Sequence, residues 1–574
     1  MENAPELSHE LVNDLPLLLH FLREVMGLDD SLDELWPRHG NWQGLSPGQV
    51  LVTWLAHILS EGDHRMNRVQ DWANRLPHTL AVLLGQPLRS TDLGDDRLAE
   101  IVRHLSLPEI WHPLEAAVSQ QLVRVYRLTP KRVRLDTTSV AVYSDRSAAA
   151  VLFQRGQSKD HRPDLRQFKV MLAALDPLGV LVAADVVAGH RADDGLYRPI
   201  IERLQTSLGE RGLLYIGDAK MGALATRAYV HATHNQYLCP LAQIGSLPKL
   251  LDGWISAALT GAVGLLPIPS ADGQSLLGDG YELTRPQTGT RPDGRPLRWN
   301  ERVLVVRSNA LVQATVRSLH HRLQRASAEI LALTPSGRRP RYADEASLRA
   351  AAQAILMQRE VVGLLQVSVQ ASVTRQAVRA YRGQPARVDE QTRFSLSVSD
   401  LPDALAAHER RLGWRVYATN APRRGLSLAH AIQAYREEWL VERDCSRLKG
   451  RPLSLRPLWV SREDHAVGLT HLLTLAARVL AVVEYQLRQK LQRTRTTLAG
   501  LYAGQPTRAT ARPTTESLLR AFDHIIFTTL RRAAERECFL TPLSALQQAI
   551  LRLLDAPPEL YSQLVANVPQ SIII

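Results

Sequence analysis

The sequence predicts an α/β protein of several domains, and two observations lead to that class. The hydrophobic pattern is helical up to about residue 125 and changes at residue 131 to the alternating, β-branched pattern of strands. Strand and helix patterns then follow each other as far as residue 240, before a mixed stretch interrupts them. A chain of 574 residues with 45% hydrophobic and 22% charged residues is expected to form about two to four globular domains.

The N-terminal region, residues 1–125, is predicted to be helical. In its segment "LSPGQVLVTWLAHILSEG", Ser46 has the side chain that caps a helix and Pro47 suits the first helical position. We expect a helical domain that either packs on the region after residue 125 or recognises the partner of that region.

Residues 126–240 contain the pattern of one sheet. "KRVRLDTTSVAVYS" and the two halves of "FKVMLAALDPLGVLVAADVV" predict three antiparallel strands, and "DDGLYRPIIERLQTSLGE" predicts a helix. "GLLYIGDAKMG" and "NQYLCPLA" predict two more strands. This order is that of a ribonuclease-H-like sheet, in which the strand of Asp136 and the strand that ends at Asp218 are neighbours.

The rest of the chain is predicted as an insertion, a return to the sheet domain and a tail. Residues 241–412 mix strand and helix patterns and suggest an inserted α+β subdomain, and residues 413–485 complete the sheet domain. Residues 486–574 suggest a basic, all-α C-terminal region. The apolar run "AVGLTHLLTLAARVLAVVEYQL" contains His471, Arg478 and Glu484, which favours a buried core helix over a membrane span.

The charge of the chain favours a polyanionic partner. The net charge is +12 and the pI is near 9.8, with nine basic and four acidic residues in 131–169 and six basic and no acidic residues in 485–512. Arginine-rich proteins can also be basic without any nucleic-acid role, and charge alone leaves that alternative open. Three dispersed cysteines without a C-x-x-C pair, and an N-terminus without a basic leader, favour a reducing cytoplasm.

The stretch "YREEWLVERDCSRLKG", residues 435–450, places three polar residues at steps of seven. On one helix, Tyr435, Glu442 and Lys449 would lie within about 20° of one line, with Trp439 between the first two. A solvated helix with one buried edge would show the same pattern, so the stripe needs support from elsewhere in the chain.

Three carboxylates at the predicted sheet provide that support. Asp136 lies within the first strand, Asp218 at the end of the fourth and Glu442 on the returning helix, while Asp185 is the likeliest substitute. Carboxylates placed together repel each other unless a cation compensates, and oxygen ligands suit Mg²⁺ or Mn²⁺. Two such ions would support phosphoryl transfer on nucleic acid, in keeping with the basic charge. The sequence has no phosphate-binding P-loop, no H-E-x-x-H and no G-x-S-x-G motif.

At these residues the sequence resembles a known family. "RLDTTSVAVYS", "YIGDAKMGA" and "YREEWLVERDCSRLK" look like the three acidic motifs of DDE transposases from bacterial insertion sequences, of the insertion-sequence-four group. The last motif of that group is written Y-(2)-R-(3)-E-(6)-K. "GQSKDHRPDLRQFKVML" and "GLYAGQPTRATARPTTESLLRAF" also look like segments of its longer members.

The resemblance implies roles for particular residues. Asp136, Asp218 and Glu442 would be the metal-binding catalytic triad. Tyr435 and Lys449 would contact the phosphate backbone of a transposon end.

Further DNA contacts are implied less directly. Trp439 has the spacing of a tryptophan near a flipped terminal base. The motif's arginine is replaced by Glu438, and Arg436 could take over its contact only with a different reach. Lys159 and Arg162 lie in a segment that either is a solvated loop or contacts DNA.

The resemblance implies a transposase that cleaves transposon ends and joins the 3′ ends to target DNA. Its cofactor would be Mg²⁺ or Mn²⁺, as two ions, and its partners the terminal inverted repeats, the target DNA and, on DNA, a second copy of the chain. Residues 1–125 could then read the ends. The location would be the bacterial cytoplasm, at the nucleoid, with no membrane partner. A ribonuclease-H-like nuclease without strand transfer, and a non-catalytic DNA-binding protein derived from a transposase, remain as alternatives.

Overall fold

The computed structural model describes residues 6–144, 150–209, 211–334, 342, 344–379, 385, 387–532 and 535–566. The chain is a mixed α/β protein and divides into two compact units. The first unit comprises Met1–Cys239, Gln287–Trp299 and Tyr435–Ile574, and the second comprises Pro240–Pro286 and Asn300–Ala434. The residues of the predicted site all belong to the first unit.

The first unit begins with a short strand, β1 (Glu6–Leu11), and a series of helices. They are α1 (Leu15–His20), α2 (Leu28–Leu35), α3 (Pro47–Glu61), α4 (Met66–Ala73), α5 (Pro77–Leu84), α6 (Asp95–Leu105) and α7 (Pro108–Val125), with a π-helical turn at Phe21–Val25. Ser46 caps α3 as predicted: its side chain accepts from the Gln49 backbone N–H, and the Gln49 side chain accepts from the Ser46 backbone N–H in return.

The central sheet of the first unit comes next in the chain. Its elements are β2 (Arg132–Val142), β3 (Arg166–Leu175), β4 (Val180–Ala188), α8 (Tyr197–Leu208), β5 (Leu214–Gly217), α9 (Leu224–Ala232) and β6 (Gln236–Pro240). The strands lie in the order β4-β3-β2-β5-β6, with β2, β3 and β4 antiparallel and β2, β5 and β6 parallel. The predicted pairing of the Asp136 strand with the Asp218 strand is confirmed.

The second unit contains antiparallel strands and helices. Its elements are α10 (Leu247–Leu259), β7 (Leu266–Pro269), β8 (Leu276–Thr290), β9 (Pro296–Ser308), α11 (Asn309–Leu331), α12 (Glu345–Gln358), β10 (Leu365–Val378), β11 (Arg387–Asp400), α13 (Pro402–Arg410), β12 (Trp414–Thr419) and α14 (Leu428–Arg436). Strands β12, β9, β8 and β7 lie side by side in that order, and β10 and β11 form a separate hairpin. The last residues of α14, from Tyr435, belong to the first unit, and so do the end of β8 and the start of β9, which lie within Gln287–Trp299.

The chain then returns to the first unit. Its last elements are α15 (Trp439–Lys449), α16 (Glu463–Thr494), β13 (Leu498–Ala499), β14 (Ala509–Thr510), α17 (Thr515–Arg520), β15 (Ile526–Arg532), β16 (Glu535–Leu540), α18 (Ala545–Leu553) and α19 (Gln563–Ala566). Helix α16 is long and apolar enough to cross a membrane, but 94% of its most apolar window is buried inside the structure. It is therefore placed as a core helix, as the charged residues within it predicted.

The prediction that both flanking regions are all-α is wrong. Strand β1 pairs antiparallel with β15, which pairs with β16, and β13 pairs with β14. The β-branched and aromatic residues of "IFTTLRR" supply strand propensity in the C-terminal region. Strand β1 has little such propensity, and its pairing with residues near the other end of the chain stabilises it.

Candidate active site

Two neighbouring strands position the first two predicted carboxylates. In the parallel pair of β2 and β5, Leu135 lies opposite Gly217. Asp136 and Asp218 are the next residues on the two strands, and neighbouring strands lie about 4.8 Å apart. Strand β5 ends at Gly217, so Asp218 is at the carboxyl end of the strand, where the backbone turns away. The sheet therefore brings these two acids to adjacent positions.

Asp136 is held by three donors. Its Oδ1 accepts from the Thr137 backbone N–H at 2.7 Å and from Lys159 Nζ at 3.4 Å, and its Oδ2 accepts from Cys445 Sγ at 3.8 Å. Burial raises the pKa of Asp136, and the Asp218 charge raises it further, against the lowering effect of Lys159 and the Thr137 N–H. An additional positive charge at this carboxylate would thus be favourable.

Asp218 is held from the other side by a buried tyrosine. Its Oδ1 accepts from the Tyr197 hydroxyl at 2.6 Å and from the Lys220 backbone N–H at 2.8 Å. The pKa of Tyr197 lies well above its usual value, because the ring is buried and because Asp218 and Asp136 lie nearby. The tyrosine therefore remains protonated and acts as a fixed donor that orients the carboxylate.

The third motif does not lie on one continuous helix, and this corrects the prediction of a single stripe. Helix α14 ends at Arg436 and α15 begins at Trp439. Between them the backbone bonds tighten to a spacing of three residues, with Glu438 N–H donating to Tyr435 and Leu440 N–H to Glu437. Glu437 is held by buried Arg134 of β2 at 3.0 Å, which ties the junction to the sheet.

The break gives the residues of the expected stripe different surroundings. Tyr435 is buried, whereas Trp439 is 48% exposed and the Arg443 guanidinium lies over its ring at 5.5 Å. Glu442 and Arg436 are exposed. The helical period of the sequence therefore predicted helix in this segment. The side chains that it placed on one face, however, have different surroundings.

Glu438 is a functional candidate that the sequence showed only as a departure from the family motif. Burial raises its pKa to about 7, a hydrogen bond from Tyr435 lowers it, and the charges of Asp136, Glu442 and Asp218 raise it. The charges of all three predicted metal ligands thus raise the pKa of this carboxyl. The signal in the sequence was an acid at the position of the motif's arginine.

The two lysines predicted to contact DNA both contact β2. Lys159 Nζ donates to Thr137 Oγ1 at 2.8 Å, close to Asp136. Lys449 Nζ donates to Asp160 Oδ1 at 2.6 Å and to Thr138 Oγ1 at 3.1 Å. One loop, residues 158–164, therefore joins Lys449 to the strand of Asp136.

Two other residues from the sequence analysis are engaged in ion pairs. Arg162 pairs with Asp164 at 2.7 Å and lies 5.8 Å from the Tyr143 ring centroid. Asp185, the suggested substitute ligand, pairs with Arg203. The segment "RPLWVSRED" contains Trp459, and a tryptophan there predicts a core position; this residue is 68% exposed, so that prediction is wrong.

Oxygen donors at the site fit a hard divalent cation, although a closed ligand cluster is not formed. Within the ranges that the structure describes, no three His, Cys, Asp and Glu side chains are grouped so that they could hold a metal ion. The convergence of Asp136, Asp218 and Glu442 on a common ion therefore stays a prediction.

Comparisons with known proteins include a likeness to a solved structure. No protein-family model matches the chain, and no curated protein sequence matches it. Among solved structures, the chain is similar to piggyBac transposase in a synaptic complex with hairpin DNA, determined by cryo-EM. The TM-score is 0.25 at 8% sequence identity, and the match covers 81% of this chain and 80% of that chain.

Proposed function

We propose that the chain is a DDE transposase with a ribonuclease-H-like catalytic domain, which cleaves at transposon ends and joins the 3′ ends to target DNA. The observation that carries the proposal is the adjacent placement of Asp136 and Asp218 on parallel neighbouring strands. The raised pKa of Glu438 supports it, because Asp136, Asp218 and Glu442 all contribute to that shift. The excess of basic residues supplies the charge that a DNA substrate requires.

Asp136, Asp218 and Glu442 would hold the Mg²⁺ or Mn²⁺ ions. When bound, two such ions activate the attacking oxygen and stabilise the leaving oxygen of a phosphodiester. The chain's own contribution is orientation: the Thr137 N–H fixes the Asp136 carboxylate and the Tyr197 hydroxyl fixes Asp218. Glu442 is exposed on α15, where a DNA strand can reach it.

The DNA contacts would surround these acids. Lys449 and Lys159 sit at β2 beside Asp136, and exposed Trp439 offers a ring face to an unpaired base. Arg436 is exposed and could take a phosphate in place of the missing arginine. The proposed partners are the inverted repeats, the target DNA and a second copy of the chain on DNA, and the proposed location is the bacterial nucleoid.

Glu442→Gln tests the chemistry apart from binding. The substitution keeps the shape of the side chain and removes one negative charge, so divalent ions should bind more weakly while binding of DNA ends in chelator is kept or tightened. Nicking and joining of a labelled end, with a supercoiled target, should both be lost in Mg²⁺. The end sequence comes from inverted repeats that flank the gene.

The matched control is Glu109→Gln, an exposed acid on α7, which should nick and join at the wild-type rate. A Glu442→Gln protein that cleaves normally would show that Glu442 is only a surface acid of the helix. Nicking without joining by the wild type would identify a nuclease without strand transfer. End binding without nicking by the wild type would identify a non-catalytic DNA-binding protein.

Lys449→Ala tests the predicted backbone contact. Each neutralised phosphate contributes about 0.9 to the slope of log affinity against log salt concentration, so the slope should decrease by about that amount. Lys249→Ala, an exposed lysine on α10, is the control and should leave the slope unchanged. If Lys449→Ala also leaves it unchanged, Lys449 serves only to bind Asp160 and Thr138 within the chain.

A further inference from the structure

A cleft of about 320 Å³ lies in the C-terminal region of the first unit. One wall is the segment 501–508, and the other is α17, up to its last residue Arg520, with the residue that precedes the helix. Polar groups that can bind an anion line it: Arg508, Arg520, Gln505, Thr514 and Ser517, beside the ring of Tyr502. Its volume suits part of a nucleotide chain.

The two arginines of this cleft retain free donor capacity. Arg508 stacks on Tyr502, with 4.0 Å between the guanidinium carbon and the ring centroid, and donates to Gln505 at 3.2 Å. Arg520 donates to the Glu516 backbone carbonyl at 3.1 Å. Among the described residues neither arginine forms an ion pair, and each guanidinium has five N–H donors. Stacking on Tyr502 reduces the side-chain entropy that Arg508 would lose on binding a ligand.

The charge around the cleft is positive. Residues 485–512 contain six basic residues and no acid, and Arg493, Arg495 and Arg512 are exposed. The acid nearest in sequence, Glu516, is bound by Arg447 at 2.9 Å. Its charge is therefore compensated within the chain.

The same ion pair connects the cleft to the candidate active site. Arg447 lies on α15 between Glu442 and Lys449, and Glu516 lies on α17 between the cleft residues Thr514 and Ser517. The Arg447–Glu516 ion pair thus joins α17, which lines the cleft, to α15, the helix that carries Glu442 of the third acidic motif.

From this arrangement we infer that the cleft binds the sugar–phosphate backbone of DNA, as a contact separate from those of Lys449 and Lys159. Arg508 and Arg520 bind phosphate oxygens, Tyr502 holds Arg508 in place, and the hydroxyls of Thr514 and Ser517 supply further donors. The inference rests on the proposed function, since it takes DNA as the substrate, and it adds a surface that the acidic motifs do not imply.

The test is the salt dependence of binding to duplex DNA. Replacing both arginines, Arg508→Ala with Arg520→Ala, should reduce the log–log slope by about 1.8, which corresponds to two phosphate contacts. Between about 50 and 200 mM salt, the wild type should then lose about tenfold more affinity than the double variant.

Two controls make the result specific. The pair Arg349→Ala with Arg375→Ala removes two exposed arginines of the second unit and should keep the wild-type slope. The pair Arg508→Lys with Arg520→Lys keeps both charges and should restore most of the slope. That restoration would separate a lost contact from a folding defect of the alanine variant.

Each other outcome overturns the inference. An unchanged slope in the Arg508→Ala, Arg520→Ala variant would show that the cleft does not contact DNA, while the proposed function would stand. Calorimetric binding of inorganic phosphate that this variant loses, with an unchanged DNA slope, would identify a site for free phosphate. A wild-type protein that binds no DNA at any salt concentration would overturn the proposed function as well.

Discussion

Asp136→Asn is expected to abolish DNA cleavage and leave the fold intact. If Asp136 holds the metal ions as proposed, its removal costs several kcal/mol of transition-state stabilisation, which corresponds to a rate loss on the order of 10³-fold or more. The fold should tolerate the change, because burial already disfavours the charged form of Asp136 and raises its pKa. Lys159 keeps its bonds to Thr137 when the carboxylate is gone. The measurement is single-turnover nicking of a labelled transposon end in Mg²⁺.

The control for this variant is Asp164→Asn in the neighbouring loop. Asp164 is 59% exposed and pairs with Arg162, so its substitution removes an acid near the site without touching the sheet. It should nick within about twofold of the wild-type rate, since exposed ion pairs contribute only about 0–1 kcal/mol. Nicking by Asp136→Asn at the wild-type rate would remove Asp136 from the catalytic site.

Gly468→Ala should destabilise the first unit strongly. Gly468 lies in α16 against α6, and a Cβ atom there would lie 1.8 Å from the Val102 carbonyl oxygen and 2.6 Å from its carbon. Backbone atoms cannot rotate away, so the two helices must separate and lose packing. Overpacking of this kind costs about 1–3 kcal/mol or more, measured as a lower urea midpoint of unfolding.

Gly253→Ala, which also lies inside a helix, is expected to have the opposite effect on stability. Gly253 lies inside α10, and apart from its chain neighbours and the nearby backbone of the helix no atom lies within 4 Å of the position that an added Cβ would take. Alanine there should stabilise the helix by about 0.5–1 kcal/mol. Equal urea midpoints for Gly468→Ala and the wild type would show that α6 and α16 do not pack as described.

The sheet and its two aspartates could be predicted because their signals are local. A change to alternating β-branched residues marks β2, and an apolar run that stops at Asp218 marks β5. That β2 and β5 are adjacent in the sheet follows from the order of the strands and helices between them. Ser46 is predictable for the same reason, since its cap partner is three residues away.

Other features depend on contacts between distant residues. Strand β1 is stabilised by β15, which lies near the other end of the chain, and no local pattern announces that pairing. The junction between α14 and α15 is fixed partly by Arg134 of β2, which holds Glu437. The 3.6-residue period alone predicted an unbroken helix there, and so placed Tyr435 and Trp439 on one face.

Residues that look alike in sequence also differ in how deeply they are buried. Glu438 and Glu442 are both acids of one charged segment, yet burial raises the pKa of Glu438 whereas Glu442 is exposed. Trp439 and Trp459 are both exposed, although tryptophan usually indicates a core position. Which face of a short element meets solvent depends on the tertiary structure, and a single sequence does not contain it.

The most direct test of the metal site is a crystal structure of the protein grown with Mn²⁺, with the ions located by anomalous scattering. We predict anomalous peaks within about 2.0–2.6 Å of carboxylate oxygens of Asp136 and Asp218, with Glu442 as the third ligand. Asp136→Asn crystals should lose or weaken those peaks. Occupied Mn²⁺ sites elsewhere, with Asp136, Asp218 and Glu442 more than about 10 Å apart and bound to no ion, would contradict the assignment of these acids as metal ligands.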